Sequence, residues 1–298
     1  MYVSFNSSSA QALSNFSTAQ SALQTTMRQI STGKTVNDAS DNAALWAMAT
    51  SNYSDNGALS AVASSQQGLA MPTISASQTA IGGINSVMND MRDNLVALQG
   101  GGDQSAILTS LQAQGKALTS AVSNAGFNGV NLLDSSTATS GSNFLLGYSE
   151  WSGGAESLNV TAGSLTNSSG PTGVLQNAQA SGSSQASDFT ALTANDVSTA
   201  NIAQTLANLN AAQSQVQTIG GAVGASSNQV GQANSSVLTL QNNMANATAA
   251  MDQTNMDSAA AQLAAGNVSE QLASLATTIA NRSSANVLRL FQQQPLQS

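Results

Sequence analysis

Between residues 202 and 251 an apolar residue recurs at every seventh position: Ile202, Leu209, Val216, Val223, Val230, Val237, Met244 and Met251. A spacing of seven is close to two turns of an α-helix and incompatible with the two-residue period of a half-buried strand. No proline interrupts the run, so the pattern predicts one helix of roughly 50 residues, about 75 Å long at 1.5 Å per residue. Leu206, Ile219, Ala233, Leu240 and Ala247 supply much of a companion row, which Gln213 and Ser226 interrupt. A strict heptad favours left-handed supercoiling around partner helices. Burying each large side chain stabilises by about 1.5–3 kcal/mol before entropy is counted. Such a row can hold a rod together without a broad globular core.

Partner helices are legible upstream. Ile74, Ile81, Met88 and Leu95 share one heptad row, and Ile84, Met91 and Leu98 share another. Gly100, Gly101 and Gly102 are expected to stop that helix. A third helix is expected over about 104–125, with Ile107, Leu111, Leu118 and Val122 on one side. The expected rod packing is carried by Ile81, Met88, Leu95, Leu209, Val216, Val223, Val230, Val237 and Met244. Both ends are amphipathic too. Leu13, Phe16, Leu23, Met27 and Ile30 stripe the first helix; Leu263, Leu272, Leu275, Ile279, Val287, Leu290 and Phe291 stripe the last. Ordering about 40 residues at either end costs on the order of 60 kcal/mol. A lone pair of helices with so thin a stripe is marginal. The ends are therefore expected to gain much of their order by packing against other copies, and those residues, Leu263 apart, form the candidate interface.

The middle differs. Residues 135–195 are rich in Ser, Gly, Thr and Asn. Asn143–Tyr148 and Glu156–Thr161 read as two short strands of a hairpin with Trp151 at its tip, and the remainder as loop or small insert.

Composition narrows the chemistry. The chain has no Cys and no His, which excludes thiol, disulfide and imidazole chemistry and makes zinc or copper sites poor candidates. Charged residues are 7%, against about 25% in an ordinary domain. Little like-charge repulsion therefore opposes the lateral packing of copies. The net charge of -8 makes DNA and anionic membranes poor partners. No run approaches the ~20 apolar residues of a membrane span. The first basic residue is Arg28 and no secretory leader is visible, so export would need a route without a cleaved signal.

Candidate sites are few. Gly33-Lys34-Thr35 resembles the end of a phosphate loop, but the position that should hold the first glycine is Arg28. It reads as a turn in which Gly33 ends the first helix and Asp38 or Asp41 caps the next. Asp90 and Asp93, beside Arg92, read as a solvated helix face rather than an acid–base pair. Asp252, Asn255 and Asp257 carry oxygens suited to a hard cation, though a polar turn is the better reading. Trp46 is expected to be packed. No catalytic, cofactor or metal residues emerge, and no enzyme is expected.

Four segments together resemble bacterial flagellins, in the alphaproteobacterial style. They are Ile30-Ser-Thr-Gly-Lys-Thr-Val-Asn-Asp-Ala-Ser-Asp-Asn-Ala-Ala-Leu-Trp-Ala-Met-Ala49, Phe127-Asn-Gly-Val-Asn-Leu-Leu-Asp134, Ile219-Gly-Gly-Ala-Val-Gly-Ala-Ser-Ser-Asn228, and Ala276-Thr-Thr-Ile-Ala-Asn-Arg-Ser-Ser-Ala-Asn-Val-Leu-Arg-Leu-Phe291. The resemblance covers about 1–160 and 197–298. It implies a mainly α fold: a long antiparallel helical rod with a small β-hairpin and a Ser/Gly-rich insert. In that layout 1–43 and 255–298 form the inner filament core, 44–134 and 197–254 the rod, and 135–196 a hairpin and short surface-exposed insert. It also implies a secreted, extracellular homopolymer that needs no cofactor. Its partners would be the flagellar export apparatus, a secretion chaperone, the filament cap and the hook-junction proteins, with no nucleic acid and no membrane insertion. Many flagellins carry a basic run on the rod helix that an innate immune receptor reads. Met88–Val96 has Asp90 and Asn94 there, which argues against that recognition. Hook–filament junction proteins, whose N-terminal signature carries a Pro after the acidic pair, are the nearest alternative; Asp41-Asn42-Ala43-Ala44 lacks it. A membrane-active type III effector and a display module built on the insert are the others.

Overall fold

The computed structural model describes residues 7–134, 142–149, 154–160, 162–167 and 172–292. The fold is mainly α, as the periodicity predicts. Its helices are α1 (Ser7–Thr32), α2 (Ala43–Ser65), α3 (Met71–Gln99), α4 (Gln104–Ser123), α5 (Ile202–Asp252) and α6 (Met256–Gln292). A π-helical turn, Gln66–Ala70, joins α2 to α3. Strands β1 (Ser142–Ser149) and β2 (Gly154–Val160) form an antiparallel hairpin. The expected position of Trp151 lies outside the described residues. Two compact units result, one of residues 1–54 with 243–298 and one of residues 55–242.

Local chemistry sets the helix ends. Gly33 ends α1 with φ +71, its amide returning 2.8 Å to the Gln29 carbonyl. That left-handed turn suits glycine. The cap of α2 corrects the sequence reading: Asn42, not Asp38 or Asp41, accepts the Leu45 amide at 3.1 Å. Asp41 is engaged by Arg28 at 2.7 Å and by the Asn37 amide at 2.9 Å. Asp38 is held below the usual carboxylate range, chiefly by the Ser40 hydroxyl and then by the Ser40 amide. The Gly100–Gly102 stop occurs as expected, and Asp103 caps α4 by accepting the Ser105 and Ala106 amides.

In the 55–242 unit α5 runs antiparallel to the α2–α3 stretch. Gln213 donates to Asn89 at 2.8 Å, Gln67 to Asn234 at 3.2 Å, and Asn56 to the Gln241 carbonyl at 3.4 Å. Ile74, Ile81, Ile84, Met88, Met91 and Leu95 of α3 are buried with Leu111, Leu118 and Val122 of α4 and with Leu209, Val216, Val223 and Val230 of α5. Val237 is buried and Met244 half-buried. The companion row departs from expectation at its far end, where Leu240 is 45% exposed. The π turn swings Gln66 fully inside, where its amide donates 2.8 Å to the carbonyl of Leu146. Leu146 is the residue at which the β1–β2 register slips. A helical bulge and a strand bulge thus meet in one hydrogen bond.

The stretch after the hairpin is not a solvated loop. Leu165, Leu175 and Phe189 are fully buried. This contradicts the expectation of a surface-exposed insert over that part of 135–196. The segment has no regular ladder, so its backbone is satisfied in other ways. Leu165 donates to the Leu133 carbonyl at 2.9 Å, Leu175 to Leu165 at 2.9 Å, and Phe189 to Leu175 at 2.8 Å. Asn208 of α5, fully buried, accepts from the Ala180 amide at 2.8 Å and donates to the Gln185 carbonyl at 2.9 Å. Gly115 lets the backbone of Phe189 and Thr190 lie directly on α4.

Candidate assembly surface

Within the 1–54 and 243–298 unit, α1 lies along α6. The pairing is antiparallel: the Ser9 hydroxyl donates to Asn281 at 2.8 Å, and Leu23 meets Gly266. A Cβ built at Gly266 would stand 2.8 Å from Leu23 Cδ1. The α6 face turned to α1 carries a row of small residues every seven positions, Ala259, Gly266, Ala273 and Ala280, beside a second row of Leu263, Glu270 and Thr277, all buried or half-buried. Phe16, Leu23 and Ile30 of α1, also seven apart, are half-buried at the same levels. Large side chains on α1 therefore sit in the shallow row of α6.

Leu263 apart, the large apolar side chains in the described part of α6 point the other way. Nine residues separate Gly266 from Leu275, about 900° of helix and so the opposite face. Val268, Leu272, Leu275 and Ile279 follow one another at helical spacing there. Leu272, Leu275 and Ile279 are 61%, 57% and 59% exposed. Leu13 and Met27 are exposed on a flank of α1. Phe16 and Leu275 line one open groove with Glu270, Gln271, Ser274 and Thr278. The structure thus splits the candidate interface residues: Phe16, Leu23 and Ile30 face α6, while Leu13, Met27, Leu272, Leu275 and Ile279 face outward. The side chains of Val287, Leu290 and Phe291 lie outside the described residues.

Sequence reasoning missed a polar cluster beside this pair. Lys34 Nζ lies 2.7 Å from Asp252 Oδ2 and 5.0 Å from the centre of the Tyr53 ring. The Tyr53 hydroxyl donates to the same carboxylate oxygen at 3.3 Å. Asp252 is 4% exposed. Its hydrogen bond to Lys34 holds that lysine above its ordinary pKa, against a smaller downward pull from burial. Lys34 is thus an anchor for the Asp252 carboxylate, not a phosphate ligand. Asn255 is occupied as well, capping α6 at the Asp257 and Ser258 amides. In a chain with 7% charged residues, a lone lysine just after a helix-ending glycine was the one available signal. Trp46 also departs from expectation, being 41% exposed. Asp90 and Asp93 lie on an exposed face, with Arg92 donating to Asn89 at 3.3 Å. Among the described residues no cluster of His, Cys, Asp or Glu suits a metal, and no helix is long and apolar enough to cross a membrane.

The fold and surface define a mainly α chain whose two ends pair with each other and leave large apolar side chains uncovered. Residues 3–138 match the family model of the bacterial flagellin N-terminal helical region. A flagellin of Brucella melitensis biotype 1 is 32% identical over 134 residues, 44% of this chain and 47% of that protein. Flagellin FljO of Caulobacter vibrioides is 30% identical over 139 residues, 45% of this chain and 50% of that protein. Flagellin FljN of the same organism is 29% identical over 140 residues, 46% of this chain and 51% of that protein. The chain spans about half the length of the curated relatives it matches. The flagellin resemblance is shown over that part of the chain, with alphaproteobacterial relatives as the motifs suggest. The segments at 219–228 and 276–291 lie beyond residues 3–138.

Proposed function

We propose that this chain is a structural subunit that polymerises through its terminal helices into the extracellular filament of a bacterial flagellum, and that it is not an enzyme. The observation that carries the reading is the outward stripe of α6. A helix that turns Ala and Gly toward its own partner and Val268, Leu272, Leu275 and Ile279 toward solvent is built to be covered by another chain. Those four are 55–61% exposed, so covering what remains is worth on the order of 3–7 kcal/mol. Association itself costs about 4–15 kcal/mol. One such contact is marginal, and a subunit held from several sides is stable, so addition to a filament end is favoured over dimers. The low charge of the chain, 7%, adds little repulsion to that packing.

In this reading 1–43 and 255–298 line the filament core, and 44–134 and 197–254 form the surrounding layer, with the buried stretch after the hairpin packed into it. Export apparatus, secretion chaperone, filament cap and hook-junction proteins are the partners the flagellin resemblance brings with it. The test is electron microscopy of purified protein incubated with precipitating salt or short filament seeds. Long, uniform filaments are expected. Persistent monomer with competent seeds would count against the proposal.

A further inference from the structure

The chain contains two Asn-Gly pairs, Asn56-Gly57 and Asn128-Gly129. An asparagine side-chain amide is open to attack by the backbone nitrogen of the next residue, most of all when that residue is glycine, which has no side chain to block the approach. In sequence the two pairs are alike; in the fold they are not. Gly57 lies inside α2, where its N–H belongs to the helical ladder. Asn56 donates its side-chain amide to the Gln241 carbonyl at 3.4 Å.

Asn128-Gly129 forms a two-residue loop just past α4. Across it Phe127 and Val130 exchange backbone hydrogen bonds of 2.8 and 2.9 Å. Asn128 has φ +50 and Gly129 φ +78, the left-handed pair of a type I′ turn, for which Asn-Gly is a preferred sequence. Both residues are exposed. Among the described residues no hydrogen bond engages the Asn128 side chain or the Gly129 amide. The restraint on the pair is therefore the two bridge bonds at its base. Beyond them the chain is pinned: Asn131 donates to the Val122 carbonyl at 2.7 Å and accepts the Leu133 amide at 2.9 Å, and Leu132 and Leu133 are fully buried. The turn can open while its surroundings stay folded, which places the opening at the low end of local unfolding free energies.

We propose that Asn128 is a site of spontaneous deamidation. The Gly129 nitrogen bonds to Asn128 Cγ and gives up its proton. The Cγ–Nδ2 bond breaks, and Nδ2 leaves as ammonia with that proton. Solvent water then opens the cyclic imide at either carbonyl, to aspartate or to isoaspartate. One water is consumed and one ammonia released, with no change in oxidation state. Either product adds a negative charge to the turn. Isoaspartate also adds a methylene to the main chain, so the loop no longer has the two-residue geometry that the Phe127–Val130 bridge requires.

The test incubates the full chain in mildly alkaline buffer and maps its peptides by mass spectrometry, with isoaspartate labelled by isoaspartyl methyltransferase. The urea-unfolded chain supplies the intrinsic rate at Asn128. Conversion at Asn128 in the folded chain is expected within roughly thirtyfold of that rate, with isoaspartate present at the position. Slower conversion overturns the proposal, because the turn would then shield the pair. Aspartate without isoaspartate also overturns it, since the amide would then be hydrolysed directly and Gly129 would play no part.

Discussion

Replacing Gly115 by alanine sets two effects of opposite sign against each other. Gly115 lies inside α4, where alanine is better than glycine by about 1 kcal/mol on helix propensity alone. The added methyl would stand 2.7 Å from the Phe189 carbonyl oxygen, 2.9 Å from that of Thr190 and 3.0 Å from the Thr190 carbonyl carbon. These are backbone atoms, so no rotamer change relieves them; the segment carrying Phe189 has to lift. Overpacking of this kind costs about 1–3 kcal/mol. The upper part of that range applies, because three contacts tighten at once and Phe189 is pulled from a fully buried position. Subtracting the propensity gain leaves a net loss of about 1–2 kcal/mol. Urea denaturation followed by circular dichroism measures it, with Gly221→Ala in α5 as reference. A methyl at 221 meets nothing within 4 Å and should stabilise by up to about 1 kcal/mol. If both substitutions stabilise alike, the 187–190 segment does not rest on α4 and the packing argument fails.

Phe189→Ala should destabilise the 55–242 unit by about 3–5 kcal/mol, read from the same denaturation curves; a loss under about 0.5 kcal/mol would return the residue to the surface. The Lys34–Asp252 pair carries a pH signature. Lys34 has its pKa raised in the folded state, so its contribution is complete below the ordinary lysine value and is lost as pH rises through the raised one. The stability gap between the natural chain and Lys34→Met should therefore stay constant at neutral pH and narrow in strongly alkaline solution. A gap that widens with pH would reverse the assigned sign.

The long helices were legible because their signal is redundant. Eight residues at constant spacing predict α5 to within a residue of Ile202–Asp252, and three glycines predict the end of α3. The hairpin was legible from alternation and a Gly-rich turn. The 162–201 stretch was not, because nothing periodic holds it. Its order comes from Asn208 and from the space left by Gly115. Single residues far apart in sequence leave no local pattern. The orientation of α6 was hidden for a different reason. A stripe of large apolar residues is ordinarily assigned to the inside, and here Leu272, Leu275 and Ile279 mark the outside while Ala and Gly meet α1. The Lys34–Asp252 pair spans most of the chain, so only the fold brings it together.

The account rests most heavily on the outward face of α6, and Leu275→Asp with Ile279→Asp tests it. Both side chains are exposed in the single chain, so its stability should change by no more than about 0.5 kcal/mol per site. Its helical content by circular dichroism should be unchanged. Burying either charge in a subunit contact is prohibitive, so seeded elongation followed by light scattering should fall to the unseeded baseline. Filament growth at the natural rate from a variant that retains its helical content would contradict the claim that this face is where subunits join.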